Sequence, residues 1–171
     1  MNSSDKLETV WKHPGKCIGP ELKMFHDMVL IGGEVDPDQF MDRIERAERL
    51  VFCNAGEFVV GVAGLKCAGK NYRKRTGEKA KLDLSEKHWP WEFGWVFVCP
   101  GARGRGVSHR LVACALDGIN EPIFATSRAD NSFMHSPLKA AGFEQAGEQY
   151  ISDRHGGPML VFIRAGQAVH S

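Results

Sequence analysis

The residues with the most distinctive chemistry are Pro100-Gly101-Ala102-Arg103-Gly104-Arg105-Gly106-Val107. They join an apolar run that reads as a strand (Phe93 to Val98) to an amphipathic stretch that reads as a helix (Ser108 to Leu116). Without a Cβ at Gly104 and Gly106, the turn can adopt positive φ and a ligand can approach its backbone closely. The free N–H groups of the helix's first turn then face that ligand, and the helix dipole favours a negative charge there. Phosphate is the usual guest of such a turn. Arg103 and Arg105 add positive charge at the same place.

Two phosphate-binding patterns are excluded. Gly104-Arg105-Gly106-Val107-Ser108-His109 lacks the last glycine of the dinucleotide fingerprint, and Ile123 to Thr126 lacks the acidic residue expected about 20 positions on. The phosphate-loop pattern G-x-x-x-x-G-K-S/T is absent. The segment instead resembles the pyrophosphate loop of the GCN5-related N-acetyltransferases. That loop reads Gln or Arg, two residues, Gly, one residue, then Gly or Ala, after a strand of the form V-x-V-x-P. Here Val96-Phe97-Val98-Cys99-Pro100 precedes Arg103-Gly104-Arg105-Gly106-Val107-Ser108, and only Ser108 departs from the pattern. A second block, Asn131 with Gly142-Phe143 eleven and twelve positions on, resembles the N-x-x-A-x-x-x-Y-x-x-x-G-F block of the same family. The resemblance covers about residues 92–163 well and the amino-terminal half in outline.

Size and composition set the frame. A chain of 171 residues with 43% hydrophobic and 25% charged content is expected to form a single domain over 1–171 with a proper core. A formal net charge of +1 argues against a dedicated nucleic-acid binder. No apolar run reaches the length of a membrane span, and Met1-Asn2-Ser3-Ser4-Asp5 lacks the apolar stretch of a leader. The five cysteines (17, 53, 67, 99 and 114) form no C-x-x-C pair. The expectation is therefore no metal, no disulfide framework and a cytoplasmic location.

Elements follow from periodicity. Helices are expected over Pro20 to about Ile31 and from Asp36-Pro37 through Leu50's approach, the latter with Phe40, Ile44 and Ala47 on one face. Leu50 to Cys53 and Phe58 to Leu65 read as a hairpin around Asn54-Ala55-Gly56-Glu57. Lys66 to Trp91 is the least regular part, a basic insert. Glu92 to Cys99 reads as a strand, Ser108 to about Leu116 as a helix and Pro122 to Thr126 as a strand. A short helix, its start set at Ser136 by Pro137, ends at Gly142. Gly147 to Ser152 and Pro158 to Arg164 read as a closing hairpin. This order matches the fold class that the resemblance implies: α/β, with a mixed, mostly antiparallel central sheet flanked by helices (the acyl-CoA N-acyltransferase fold).

The resemblance also implies an activity. An acetyl-CoA-dependent N-acetyltransferase lets an amine attack the thioester directly, so its rate comes mostly from positioning and from donors aimed at the developing oxyanion. By position, the backbone of Val96, Phe97 and Val98 is implied to line the pantetheine arm. Arg103, Gly104, Arg105, Gly106, Val107, Ser108 and His109 are implied to hold the pyrophosphate, and Asn131 to reach the cofactor arm. An asparagine there also suits a helix N-cap. Glu92, at the start of the motif strand, is the implied general base. An ammonium acceptor must lose a proton before it attacks. Flanking Trp91, Phe93 and Trp95 would desolvate the carboxyl and raise its pKa. The family's tyrosine acid falls on Leu138, which cannot donate; Ser136, His135 and Tyr150 are the substitutes at hand.

The acceptor is expected to be a small-molecule or peptide amine, and a homodimer is left open. Lys66 to Lys87 carries eight basic and three acidic residues, which reads either as a solvated loop or as a surface for an anionic acceptor. Two other readings compete with the enzyme. One is a catalytically weakened CoA-binding relative serving as sensor or partner, favoured by Leu138. The other is an RNA-directed, aminoacyl-tRNA acetyltransferase, favoured by the basic insert alone.

Overall fold

A computed structural model describes residues 6–168. Met1–Asp5, on which the expectation about a leader rests, lies outside them. The chain runs β1 (Leu7–Lys12), α1 (Gly19–Ile31), α2 (Phe40–Glu45), β2 (Arg49–Ala55), β3 (Phe58–Lys66), α3 (Lys70–Ala80), β4 (Trp91–Val98), α4 (Val107–Leu116), β5 (Ile123–Arg128), α5 (Ser132–Ala140), β6 (Glu144–Ile151) and β7 (Pro158–Arg164). The strands form a seven-stranded sheet in the order β1-β2-β3-β4-β5-β7-β6. The β1–β2, β2–β3, β5–β7 and β6–β7 ladders are antiparallel, and β4–β5 is parallel. This is the expected mixed, mostly antiparallel sheet with flanking helices.

The described residues divide into two compact units, and the division falls within β4, after Gly94. The first unit holds the residues up to Leu65 together with Trp95–Asp117. Its core is aromatic: Phe25 of α1 and Phe40 of α2 meet Trp95 edge-on at 6.1 and 5.2 Å between ring centroids. Leu50, Phe52 and Val62 complete this cluster. In α4 the spacing of Val107, Leu111, Val112, Ala115 and Leu116 gives one buried face. Gly61 is required beneath it, since a Cβ there would lie 2.6 Å from Val107 Cγ1. Buried Arg49 donates from Nη1 to the carbonyls of Ala115 and Asp117, at 3.1 and 2.6 Å, satisfying the end of α4. Its guanidinium also stacks 4.0 Å from the Trp11 ring.

The second unit holds Lys66–Gly94 and the described residues from Gly118 on. Here α3 lies over Phe124 and Val161 with Ala80 and Leu84 in the core. The helix is fixed by Arg73, which is 4% exposed. Arg73 donates to the carbonyls of Ala68, Leu84, Trp89 and Pro90 at 2.5 to 3.1 Å, and its charge lies 5.4 Å from the Phe124 ring centroid. One guanidinium thus ties the ends of the Cys67–Pro90 segment together.

Four sequence expectations are corrected. The irregular stretch Lys66 to Trp91 contains α3. Its buried face uses Arg73, Thr76, Gly77 and Ala80, so no apolar period announces it. β1 precedes the first helix; only Leu7 of this edge strand is buried. The helix expected from Asp36-Pro37 begins at Phe40, after Gln39 at φ +52°, because Arg43 holds the Asp36 and Asp38 carbonyls in a turn. α5 starts at Ser132 rather than Ser136, and Pro137 lies inside it.

Arg73→Met should lower unfolding stability by about 2–4 kcal/mol, because several buried carbonyls lose their donor at once. Urea unfolding measures this. Arg73→Lys should recover little, since one ammonium cannot replace a planar fork with five donors.

Candidate active site

Three of the eight β4 residues make the ladder to β5: Trp91↔Ile123, Glu92↔Phe124 and Phe93↔Ala125. Two residues later Trp95 takes φ +55°, a left-handed conformation that a bulky residue adopts only under constraint. The constraint is packing. The indole is pinned by Phe25 and Phe40 and seated on Gly64, where a Cβ would lie 2.6 Å from Trp95 Cε3. Val96, Phe97 and Val98 follow, each half-buried.

A single 3₁₀ turn, Pro100–Ala102, then leads into the glycine loop. Gly104 and Gly106 have φ +79° and +77°, the conformation that demands glycine, and a Cβ at either would meet nothing within 4 Å. Gly106 is the N-cap of α4, and no side chain caps that helix. Val107 faces the core, so it offers the site only its backbone. Arg103 and His109 are exposed, and Arg105 and Ser108 half-buried. An open cradle of positive-φ glycines ahead of an uncapped first turn suits a pyrophosphate group.

In the second unit Glu92 is almost fully buried. Its Oε1 accepts from Lys66 Nζ at 2.5 Å, with side-chain exposures of 4% for Glu92 and 18% for Lys66. Its Oε2 is buried without a hydrogen-bond partner among the described residues. Two phenols share this neighbourhood. Tyr72 of α3 hydrogen-bonds the Thr126 hydroxyl at 3.3 Å; burial first, then the Glu92 charge, pushes its pKa well above the usual phenol value. Tyr150 of β6 is pushed up to about 12 by burial and then by the same carboxylate, with the Thr126 hydroxyl partly offsetting the shift. Both phenols stay neutral and able to donate at physiological pH.

Asn131 caps α5: its Oδ1 accepts from the Met134 N–H at 3.3 Å. Leu138, at the tyrosine position of the family block, lies in the core. His135 Nε2 donates to the Arg128 carbonyl at 2.9 Å and its ring packs on Phe162. Ser136 is exposed. Of the three substitutes named from sequence, Tyr150 is the one whose titration feels the Glu92 charge. Lys66 and Tyr72 were missed. The signal available was their membership of the basic insert, where a lysine reads first as a solvated charge. Burial also raises the Cys53 and Cys114 thiols, which keeps them protonated and poor nucleophiles.

No protein-family model matches this chain, and no curated protein matches it. Solved structures do. An acyl-CoA N-acyltransferase from Pseudomonas aeruginosa superposes with a TM-score of 0.66 at 17% identity, covering 94% of this chain and 100% of its own. The chain has the acyl-CoA N-acyltransferase fold. YncA from Salmonella typhimurium, whose structure includes its cofactor acetyl-CoA, gives 0.62 at 14% identity, over 97% and 96% of the two chains. The ribosomal-protein-S18-alanine N-acetyltransferase from Escherichia coli gives 0.66 at 10% identity, over 96% and 97%. At the level of the fold these neighbours bear out the resemblance to the GCN5-related acetyltransferases. Among the described residues no helix is long and apolar enough to cross a membrane.

The raised phenols have a consequence in alkali. Folding keeps Tyr150 protonated to about pH 12, whereas an unfolded phenol ionises near 10. The stabilisation is therefore complete below about pH 10 and is lost as pH rises through about 12. Unfolding free energy followed by urea titration from pH 9 to 11.5 should fall, and Tyr150→Phe should flatten that fall. A slope unchanged by the substitution would place the alkaline sensitivity elsewhere.

Proposed function

We propose that the chain is a single acetyl-CoA-dependent N-acetyltransferase domain that acetylates a primary amine of a small molecule or peptide, in the cytoplasm. The observation that carries this reading is Glu92 Oε2, a buried carboxylate oxygen left unpartnered on the strand that leads into the glycine loop. Leaving such an atom unpaired costs stability, and an acceptor amine would satisfy it.

The cradle residues fit acetyl-CoA in chemistry. Backbone amides from Gly104 to His109, with Arg103 and Arg105, would hold the pyrophosphate, and the backbone of Val96, Phe97 and Val98 would hold the pantetheine arm. The Asn131 amide nitrogen remains to donate, its oxygen being engaged by Met134. Bound acetyl-CoA supplies the acyl group as an activated thioester. Lys66 keeps Oε1 occupied and neutralises the carboxylate, which directs the acceptor's proton to Oε2. Tyr150 holds its own proton at neutral pH and can donate it, in place of the family tyrosine that Leu138 replaces.

Calorimetry and a steady-state assay of CoA release over a panel of amines test this reading. Gly104→Val should abolish acetyl-CoA binding, since a β-branched residue is strained at φ +79° and intrudes on the phosphate approach. Glu92→Gln should leave acetyl-CoA affinity nearly unchanged and cut turnover roughly 10²-fold near neutral pH, the usual worth of a positioned base. That loss should shrink as pH approaches the acceptor's own pKa. Turnover of Glu92→Gln equal to the parent's would remove Glu92 from the chemistry, and CoA binding without turnover of any amine would favour a sensor.

A further inference from the structure

The outermost strands of an open sheet carry backbone N–H and C=O groups that no ladder uses, and here β1 and β6 treat them differently. β6 is closed off. Its pairing with β7 shifts register between Ala146 and Tyr150, and Lys79 Nζ donates to the Ile151 carbonyl at 3.0 Å. A Cβ at Gly147 would collide with the Ala80 carbonyl, and Glu144 and Glu148 stand exposed. β1 has none of these devices. It pairs with β2 in one unbroken register and contains neither proline nor glycine. Among the described residues no strand lies on its outer side. Its Val10 and Trp11 are 42% and 40% exposed. β-Branched and aromatic residues on a regular, open edge make a template for another strand.

We infer that β1 is a dimer interface, pairing antiparallel with β1 of a second copy of this chain about a two-fold axis at Val10.

Symmetry and charge fix the register. A two-fold that sets two neighbouring strands antiparallel runs normal to the sheet, so every side chain keeps its face and meets only residues of that face. Leu7, Thr9 and Trp11 share one face, where the Thr9 hydroxyl lies 3.9 Å from Cys53 Sγ and Trp11 stacks on Arg49. Glu8, Val10 and Lys12 share the other, where Lys12 pairs with Glu21 at 2.5 Å. Centring the pair on Val10 sets Glu8 opposite the second copy's Lys12, and symmetry repeats that match. Thr9 then faces the second copy's Trp11, and the two Val10 side chains meet on the axis. Centring on Thr9 or Trp11 instead sets Glu8 or Lys12 against valine and matches no charge. Lys12 has three N–H donors, so Glu21 and the second copy's Glu8 can share it. Main-chain bonds along residues 8–12 supply affinity, and the alternate side chains supply register.

Sedimentation equilibrium of the full chain over a hundredfold range of concentration tests this, and a reversible monomer–dimer equilibrium is expected. Val10→Lys sets two ammonium groups face to face on the axis and should leave the chain monomeric. Glu8→Lys opposes like charges twice and should raise the dissociation constant at least about tenfold. Val10→Cys should crosslink between copies under mild oxidation, because opposed Cα atoms lie about 4.5–5.5 Å apart, within disulfide range. Glu8→Cys, four residues from its own counterpart, should crosslink no faster than the parent with its five native cysteines. These variants replace exposed side chains, so far-ultraviolet circular dichroism should match the parent's. Should Val10→Lys unfold, Glu8→Lys and the crosslinks decide. A parent that stays monomeric overturns the inference and leaves the edge to an extended segment of a different protein. A dimer that neither lysine substitution weakens overturns it too, as does equal crosslinking of Glu8→Cys and Val10→Cys.

Discussion

A carboxylate buried to 4% exposure is the constraint around which the second unit is arranged. Taking Glu92 out of water costs several kcal/mol unless charge and hydrogen bonds replace its hydration. Lys66, the last residue of β3, supplies the countercharge. Tyr72 and Tyr150 bring neutral polar groups near it, and their raised pKa values record the same negative charge after the effect of burial. Tyr72 can be there only because α3 is, and α3 is held by Arg73. Arg73, Tyr72 and Glu92 are thus linked: the guanidinium holds the helix, and the helix brings the phenol within reach of the carboxylate's charge.

A second constraint governs the first unit, and it is steric. Trp95 is held in a conformation that costs on the order of 1–3 kcal/mol for a non-glycine residue. Edge-on contacts with Phe25 and Phe40 offset that cost, and Gly64 makes room for the indole. Gly61 does the same for Val107 at the first turn of α4. Glycines within β3 thus set the positions of the strand and helix that bracket the loop. The loop's own glycines have a different reason, since nothing crowds Gly104 or Gly106 and their φ alone requires the missing Cβ.

These two kinds of constraint explain what the sequence made legible. The apolar period of α4, the strands β5 and β7, and the glycine loop all rest on local patterns, and each is found within a residue or two of its expected place, whereas β6 starts at Glu144, three residues before the expected Gly147. β1 escaped because an edge strand with one buried residue has no alternation to show. α3 escaped because its buried face is polar by composition: Thr76 lies inside it beside Arg73, whose guanidinium is received by four carbonyls. The ion pair at Glu92 was equally invisible, since Lys66 and Glu92 are 26 positions apart and no local rule joins the end of β3 to the start of β4. Backbone conformation left traces in glycine; side-chain pairing across strands left none.

The departure at Leu138 gains meaning from the same comparison. A leucine there fills the core, and the helix that carries it starts at the Asn131 cap and continues through Pro137, which can donate no backbone hydrogen bond. α5 brings no phenol there, whereas two other elements, α3 and β6, each bring one to the charge of Glu92. A proton donor has to meet geometric and pKa requirements, not a position in the chain. Burial and a neighbouring carboxylate hold a phenol neutral wherever the backbone delivers it. An inserted helix whose exposed lysines suggest a solvated loop therefore also carries Tyr72, and its electrostatic weight lies on the buried face.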